Sequence, residues 1–203
     1  MECLGVWEQF LHVQTIPPLI QTGLLHYQFE AIHPFLDGNG RVGRLLVILF
    51  LIERKVLTSP LLYISAFFEA TRNEYYSRLL AVSQESQWNP WFEYFVNGIA
   101  RMSDDVLSRA EKINLLLQSW RKIIAGQKPK ILLDVIELLA ENPFWGTKKL
   151  SERLQVAFTT AQRAINVLIE RKILSQVDNA QRDRVFCATE IMKILDEPPK
   201  MKP

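Results

Sequence analysis

The stretch HPFLDGNGRVGR, from His33 to Arg44, constrains this chain more than any other part of its sequence. It holds three glycines, two arginines, an aspartate and a histidine, and the apolar run 45–52 follows directly. This order predicts a loop, a helix N-terminus and then a buried helix. A helix start offers free backbone N–H groups and a positive dipole end, so it favours anions. Two arginines spaced i, i+3 on the first turn add guanidinium donors, and the stretch therefore predicts a polyphosphate site.

A simple tight turn at Gly38–Gly40 is the alternative, since glycine and asparagine accept positive φ. That alternative leaves the histidine, the aspartate and both arginines unexplained. It also leaves two positive charges facing the positive end of a helix dipole, which is unfavourable unless an anion is bound.

The stretch resembles the signature of Fic (filamentation induced by cAMP) proteins, HxFx[D/E]GNGRxxR, at every defining position. The resemblance extends to the flanks, over 16–30 and 61–76, and covers roughly residues 1–125. Fic proteins typically transfer AMP from ATP to a hydroxyl side chain of a target protein. The resemblance therefore implies a mainly α fold class with an all-helical Fic core, ATP as the substrate, Mg²⁺ as the cofactor and a hydroxyl-bearing target protein as the partner.

Residue roles follow from the matching positions. His33 is the candidate general base, since imidazole can take a proton from a Ser, Thr or Tyr hydroxyl near neutral pH. Asp37 is the candidate Mg²⁺ ligand, because this ion prefers one or two carboxylates together with phosphate oxygens; an N-cap for the following helix is the alternative. His12 and His26 suit surface or packing roles, and Phe35 is read as an apolar anchor for the loop.

The resemblance also assigns the nucleotide contacts. The glycines would form an anion nest, to which the Asn39 side-chain amide would add a donor. The two arginines would clamp the phosphates, with Arg44 reaching the γ-phosphate. Tyr75 or Tyr76 would pack near the adenine, although a core position is equally compatible with either tyrosine. The predicted phosphate-binding set is Gly38, Asn39, Gly40, Arg41 and Arg44.

A domain boundary is expected near 125–129, where glycine ends one helix and proline permits the next. This gives a Fic domain at 1–125 and a second domain at 126–203. The helix expected over 104–124 carries an apolar face that could pack on the catalytic core, bridge to the second domain or form a homodimer seam. Core packing is the simplest of the three. The members of this face are Leu107, Ala110, Ile113, Leu117 and Trp120.

The second domain reads as three helices followed by a β-hairpin. Helices are expected over 131–140, 147–154 and 160–172, with Thr147 and Thr159 as caps, and strands over 173–177 and 184–188 around a polar tip. This order resembles a winged helix-turn-helix, and the resemblance implies DNA as a partner; protein docking and dimerisation are the other uses of such modules. The third helix would enter the major groove and read base edges through Gln162, Arg163 and Asn166. Phosphate contacts would come from Lys148, Lys149, Arg153, Arg182 and Arg184.

The amino-acid composition excludes few classes of protein. Apolar residues make up 48% of the 203 and charged residues 23%, with a net charge of +2, which is ordinary for a globular chain. No apolar run has the length needed to cross a bilayer, so no membrane role is expected. Cys3 and Cys187 lack metal-type spacing, which favours a reducing compartment and a cytoplasmic location.

Two elements that Fic proteins usually have are not visible in residues 1–32: the flap that docks the target, and the inhibitory [S/T]xxxE[G/N] helix. The chain is therefore expected to be a fragment, a split product or a shortened variant, and its transfer activity to be weak. Three functions stay open: protein AMP transfer, DNA-binding regulation with a Fic sensor or remnant, and transfer of UMP, phosphocholine or phosphate.

Overall fold

The computed structural model describes residues 2–126, 131–177 and 184–199. Within these residues the chain is mainly α, with ten helices and three short strands. It divides into two compact units between Val106 and Leu107, earlier than the boundary expected at residue 125. The reason is that the C-terminal part of a long helix presents Leu117 and Trp120 to the core of the second unit. The functional assignment of the two domains stays a prediction.

The first unit packs its helices around two apolar clusters. The buried rings of Trp91 and Phe95 lie in one cluster, and Trp7 packs with Phe29 in the other. The apolar run after the glycine loop is buried at Val47, Ile48 and Leu51, whereas Leu45 and Leu49 are 56% and 50% exposed. One face of this helix is therefore packed, and the prediction of a buried helix holds only for that face. The helices are α1 (Glu2–Leu11), α2 (Pro18–Ile32), α3 (Asn39–Glu53), α4 (Ile64–Ala70), α5 (Arg72–Glu85) and α6 (Trp88–Ile123).

Helix α6 is continuous, whereas two helices were expected over 91–100 and 104–124. The polar stretch between them contains no proline, and the Ser103 hydroxyl donates to the Ile99 carbonyl within the helix, so nothing ends it. The expected apolar face is only partly used: Leu107 is 63% exposed, while Leu117 and Trp120 are buried. Those two side chains belong to the second unit's core, so the expectation that they pack on the core of the first unit is wrong, and they are not free for a dimer seam.

The second unit contains α7 (Ile131–Glu141), β1 (Phe144–Gly146), α8 (Thr147–Leu154), α9 (Phe158–Glu170), β2 (Ser175–Gln176), β3 (Val185–Cys187) and α10 (Thr189–Leu195). The strands form an antiparallel sheet in the order β1-β3-β2. Three helices followed by two strands were predicted; β1 and α10 were not. The core is formed by the apolar stripes of α7 and α9, including Leu132, Ile136 and Ile165.

Both predicted threonine caps are wrong. Gly146 is the N-cap of α8, and Thr147 is buried inside the first turn, where its hydroxyl donates to Gln162. Helix α9 begins at Phe158 with Ala157 as its N-cap, so Thr159 already lies in the helix. Tertiary burial of Thr147 therefore overrides the local capping preference.

Some expectations lie outside the described residues: the linker segment 127–130, and the polar tip 178–183 with Arg182. Within the described ranges, no helix is both long and apolar enough to cross a membrane.

Candidate active site

The loop begins where α2 ends. His33 is the C-cap of α2 and adopts a left-handed backbone with φ 51°, and its N–H donates to the Phe29 carbonyl at 3.0 Å. Pro34 follows at once and cannot continue the helix. This geometry turns the chain sharply and leaves the His33 side chain exposed at the rim of the cleft.

Asn39 fixes the loop from inside. It is 2% exposed, its Oδ1 accepts from the Phe35 N–H at 2.8 Å, and its Nδ2 donates to the Phe35 carbonyl at 2.6 Å. Both ends of the amide are therefore used within the loop, and donation from this side chain to phosphate stays a prediction. Phe35 is 49% exposed and reaches Phe29 at a ring distance of 6.2 Å, so the backbone hydrogen bonds, more than ring burial, hold the loop.

The two arginines lie over the two loop glycines. Gly38 has φ 82°, where a side chain would be strained. A Cβ there would lie 3.5 Å from Arg41 Nη2, and a Cβ at Gly40 would lie 3.0 Å from Arg44 Nη1. Two guanidinium groups thus stand beside the N-terminus of α3, where the backbone N–H groups are free to bind an anion.

Asp37 lies next to these groups. One carboxylate oxygen accepts from the Gly38 N–H at 2.7 Å, and the other is 3.3 Å from Arg41 Nη2 in an exposed ion pair. Gly38 is the N-cap of α3 and no side chain caps that helix, so the capping alternative for Asp37 is wrong.

These groups share one cleft of about 350 Å³. The cleft also includes Phe68, Glu69 and Arg72 from α4 and α5, which the sequence did not single out as a set. The structure thus brings together the predicted base, the predicted metal ligand and the predicted phosphate-binding loop. The residues lining the cleft are His33, Leu36, Asp37, Gly38, Asn39, Gly40, Arg41, Arg44, Phe68, Glu69, Arg72, Tyr75 and Tyr76.

The two tyrosines predicted to line the nucleoside pocket differ in burial. Tyr75 is buried beneath the cleft, stacks on Phe68 at 4.7 Å, and its hydroxyl lies 2.9 Å from His26 Nε2. Burial lowers the pKa of His26 to about 4, so this imidazole is neutral at pH 7 and has a packing role, as expected. Tyr76 is 56% exposed at the edge of the cleft, with the Arg72 guanidinium 5.8 Å from its ring centroid and the Tyr75 ring at 5.2 Å.

Glu30 is the charged residue that sequence reasoning missed. It lies one turn before His33 on α2, and its Oε1 atom is buried with no hydrogen-bond partner among the described residues. Burial raises the pKa of Glu30, while the charges of Arg44 and His33 oppose that rise. Its i, i+3 spacing from the histidine was the one available signal, and it is too common on helices to select a residue.

The donor set fits a nucleotide-bound magnesium ion better than a metal held by protein alone. Across the described residues no group of three or more His, Cys, Asp or Glu side chains is close enough to hold a metal. Mg²⁺ needs only one or two carboxylates when phosphate oxygens and water complete its shell. Asp37 supplies one exposed carboxylate beside the phosphate loop, which meets that need.

The second unit has its own groove, of about 880 Å³. It is lined by Lys148, Lys149 and Arg184, by the exposed rings of Phe144 and Phe158, and by Gln162. Gln162 is engaged: its Oε1 accepts from Thr147 and its Nε2 donates to Asn166 at 2.9 Å. Arg163 and Asn166 are exposed on α9 but do not line the groove.

The first unit is similar to known proteins of one family. The Fic/DOC family model matches residues 1–51. The chain is 44% identical over 61 residues to a probable protein adenylyltransferase of Aquifex aeolicus, covering 28% of this chain and 19% of the relative. It is 27% identical over 138 residues to the protein adenylyltransferase Fic of Drosophila virilis, and 28% identical over 128 residues to fic-1 of Caenorhabditis briggsae. These two alignments cover 65% and 63% of this chain, and 27% and 23% of the relatives.

The chain thus spans about a quarter or less of the length of these curated relatives. Among solved structures, a Fic family protein from Desulfovibrio desulfuricans G20 matches with a TM-score of 0.51 and 19% identity. That match covers 92% of this chain and 54% of the other, and it shows a shared fold.

Proposed function

We propose that this chain transfers AMP from ATP to a Ser, Thr or Tyr hydroxyl of a target protein, the reaction expected from the match of residues 1–51 to the Fic/DOC family model. The observation that carries the proposal is the meeting of His33, Asp37 and Arg44 in one cleft at the N-terminus of α3. A base, an anionic metal ligand and phosphate-binding cations are the groups that this reaction requires.

The free thiols of Cys3 and Cys187 agree with a reducing, cytoplasmic setting.

The proposed reaction forms one P–O bond, breaks another, and moves one proton from the target hydroxyl to His33. His33 takes the proton of the target hydroxyl, whose oxygen attacks the α-phosphorus of ATP, and pyrophosphate leaves as the bond between the α-phosphorus and the bridging oxygen breaks. The α3 backbone N–H groups and the two arginines stabilise the charge that develops on the phosphate oxygens. Mg²⁺, held by Asp37 together with the phosphates, would neutralise the leaving pyrophosphate.

Labelled nucleotides test this proposal. We expect protein-bound label from α-labelled ATP and none from γ-labelled ATP, with loss of labelling when EDTA removes Mg²⁺. Arg44→Ala should raise the Kd for Mg-ATP by about tenfold or more, because a charge-assisted contact contributes about 1.5–3 kcal/mol. Arg101→Ala, on α6 away from the cleft, is the matched control and should leave the Kd unchanged.

The same experiment separates the other transfer reactions. Label from γ-labelled ATP would indicate phosphate transfer, and faster labelling from UTP or CDP-choline would indicate UMP or phosphocholine transfer. Nucleotide binding without transfer would favour the sensor role, whereas absence of both binding and transfer would reject an active site in this cleft and favour the remnant role.

A second candidate function concerns the second unit, which we propose is a winged helix that binds DNA. The helices α7, α8 and α9 together with the β1-β3-β2 sheet support this, as does the groove lined by Lys148, Lys149 and Arg184. The exposed side chain of Arg163 on α9 is the strongest candidate for a base contact.

Arg163→Ala should weaken binding to the preferred DNA site by about 1–3 kcal/mol and relax sequence preference at one position. Lys148→Ala should weaken binding to all sequences equally and flatten its dependence on salt. Lys193→Ala, on α10 and outside the groove, is the control for the loss of one positive charge. Equal binding by the parent and the Arg163 variant across a library of DNA sequences would reject base readout by α9.

A further inference from the structure

The groove of the second unit combines exposed aromatic rings with positive charge. Phe144, at the start of β1, and Phe158, at the start of α9, line it and are 40% and 56% exposed. Lys148, Lys149 and Arg184 line the same groove, and none of the described residues that line it is acidic. Large apolar side chains exposed together in one concave surface are typical of a binding site.

The three positive side chains of the groove are available to a ligand. Within the described ranges none of them forms an ion pair, whereas Arg153 of the same unit pairs with Glu141. The Arg184 guanidinium instead lies 5.8 Å from the centroid of the Phe186 ring. Positive charges that are gathered without a carboxylate create a positive local potential, so the groove attracts an anion.

Hydrogen bonds fix the walls of the groove. The Thr147 hydroxyl donates to Gln162 Oε1 at 3.0 Å, which ties α8 to α9. The Phe144 N–H donates to Asn142 Oδ1 at 3.0 Å, and β1 pairs with β3 along the remaining wall. The rings and the positive charges therefore stand on fixed elements, so little ordering is needed when a ligand binds.

The phosphates of a DNA duplex account for the positive side chains but leave both rings unused. A phenylalanine ring stacks on a base only where the base is not stacked in a duplex. Arg163 and Asn166, the other residues predicted to read bases, lie on α9 outside the groove. A flat aromatic molecule with one anionic group uses the rings and the charges together. The volume of about 880 Å³ also lies within the range of small-molecule sites, about 300–1,000 Å³.

We propose that this groove binds a small aromatic anion, a ring system that carries a carboxylate or phosphate group, and that the bound anion weakens the DNA binding of this unit. The rings of Phe144 and Phe158 contact the aromatic body, and Lys149 with its two positive neighbours holds the anionic group. The effect on DNA rests on the proposed function, because the anion neutralises the side chains proposed to contact DNA phosphates. Binding of the anion itself does not depend on DNA.

Calorimetric titration of the full chain with three probes tests the binding. Naphthoate carries rings and a carboxylate, naphthylmethanol carries the rings without the charge, and acetate carries the charge without the rings. The Kd for naphthoate should be at least about tenfold lower than the Kd for either of the others, because ring stacking and a charge-assisted contact each contribute about a factor of ten.

Variants of the groove locate the site. Lys149→Gln and Phe158→Leu should each raise the Kd for naphthoate by about threefold to tenfold. Both replacements are at exposed positions, and leucine keeps an apolar residue at the start of α9. Lys193→Gln and Leu133→Ala, at exposed positions of the second unit outside the groove, are the matched controls and should leave the Kd unchanged.

Three results would overturn the inference. One is equal affinity for naphthoate and naphthylmethanol, and another is an unchanged Kd for naphthoate in both groove variants. The third is binding of oligothymidine more tightly than naphthoate with loss in the same two variants, which would assign the groove to single-stranded DNA.

A competition experiment tests the effect on DNA. Naphthoate at a concentration that saturates the parent should raise the Kd for duplex DNA by at least about threefold, and Lys149→Gln should lose most of this response. Unchanged DNA affinity with naphthoate bound would overturn this part of the inference. Absence of DNA binding with and without naphthoate would reject the proposed DNA function alone, because calorimetry still decides whether the groove binds the anion.

Discussion

Replacing His33 by alanine is expected to lower the rate of AMP transfer by about 10²–10⁴-fold, the usual contribution of a positioned general base. Nucleotide affinity should stay within about twofold, because the predicted phosphate contacts come from the α3 N-terminus and the arginines. Label transfer from α-labelled ATP measures the rate, and calorimetric titration with Mg-ATP measures the affinity.

The backbone at His33 requires a second variant. With φ at 51°, the left-handed backbone costs about 1–2 kcal/mol for residues with a Cβ, the parent histidine included, and asparagine tolerates this region better than alanine does. His33→Asn should therefore lose as much activity as His33→Ala while remaining as stable as the parent. His12→Ala is the control with full activity. Transfer within tenfold of the parent in both His33 variants would place the base elsewhere.

Asn39→Ala is expected to lower the free energy of unfolding of the first unit by about 2 kcal/mol and to weaken ATP binding at the same time. The substitution leaves the N–H and the carbonyl of Phe35 unpaired, and each such group costs about 1–3 kcal/mol when buried. Phe35 is half-exposed, so water replaces part of the loss and the lower end applies. Urea unfolding, followed together with the ATP affinity, measures both effects.

The result separates two roles for this residue. If the amide bound phosphate directly, Asn39→Ala would raise the Kd for ATP with unchanged stability. If it holds the loop, both quantities change together. Asn97→Ala, an exposed asparagine of α6 within the first unit, is the matched control and should change stability by no more than about 0.5 kcal/mol.

The helices of both units could be predicted where their signals are local. Apolar spacing identified the runs that became α2, α3 and α7, and the glycine loop identified the start of α3. Helix ends were less predictable: Thr147 is a good cap by type, yet it is buried against Gln162. Likewise, nothing local shows that Leu117 and Trp120 serve the second unit's core and so shift the division between units to residue 106.

The sequence by itself determined which candidate groups meet in the cleft. The predicted base, the carboxylate, the glycines and the arginines lie within twelve residues, so a single turn and a helix start bring them together without help from distant parts of the chain. Only the tertiary structure decided what surrounds them: that Asn39 is used inside the loop, that Tyr75 is tied to His26, and that Glu30 sits against Gly43. These contacts join residues on different helices, or residues whose burial depends on how the helices pack, and neither periodicity nor spacing carries that information.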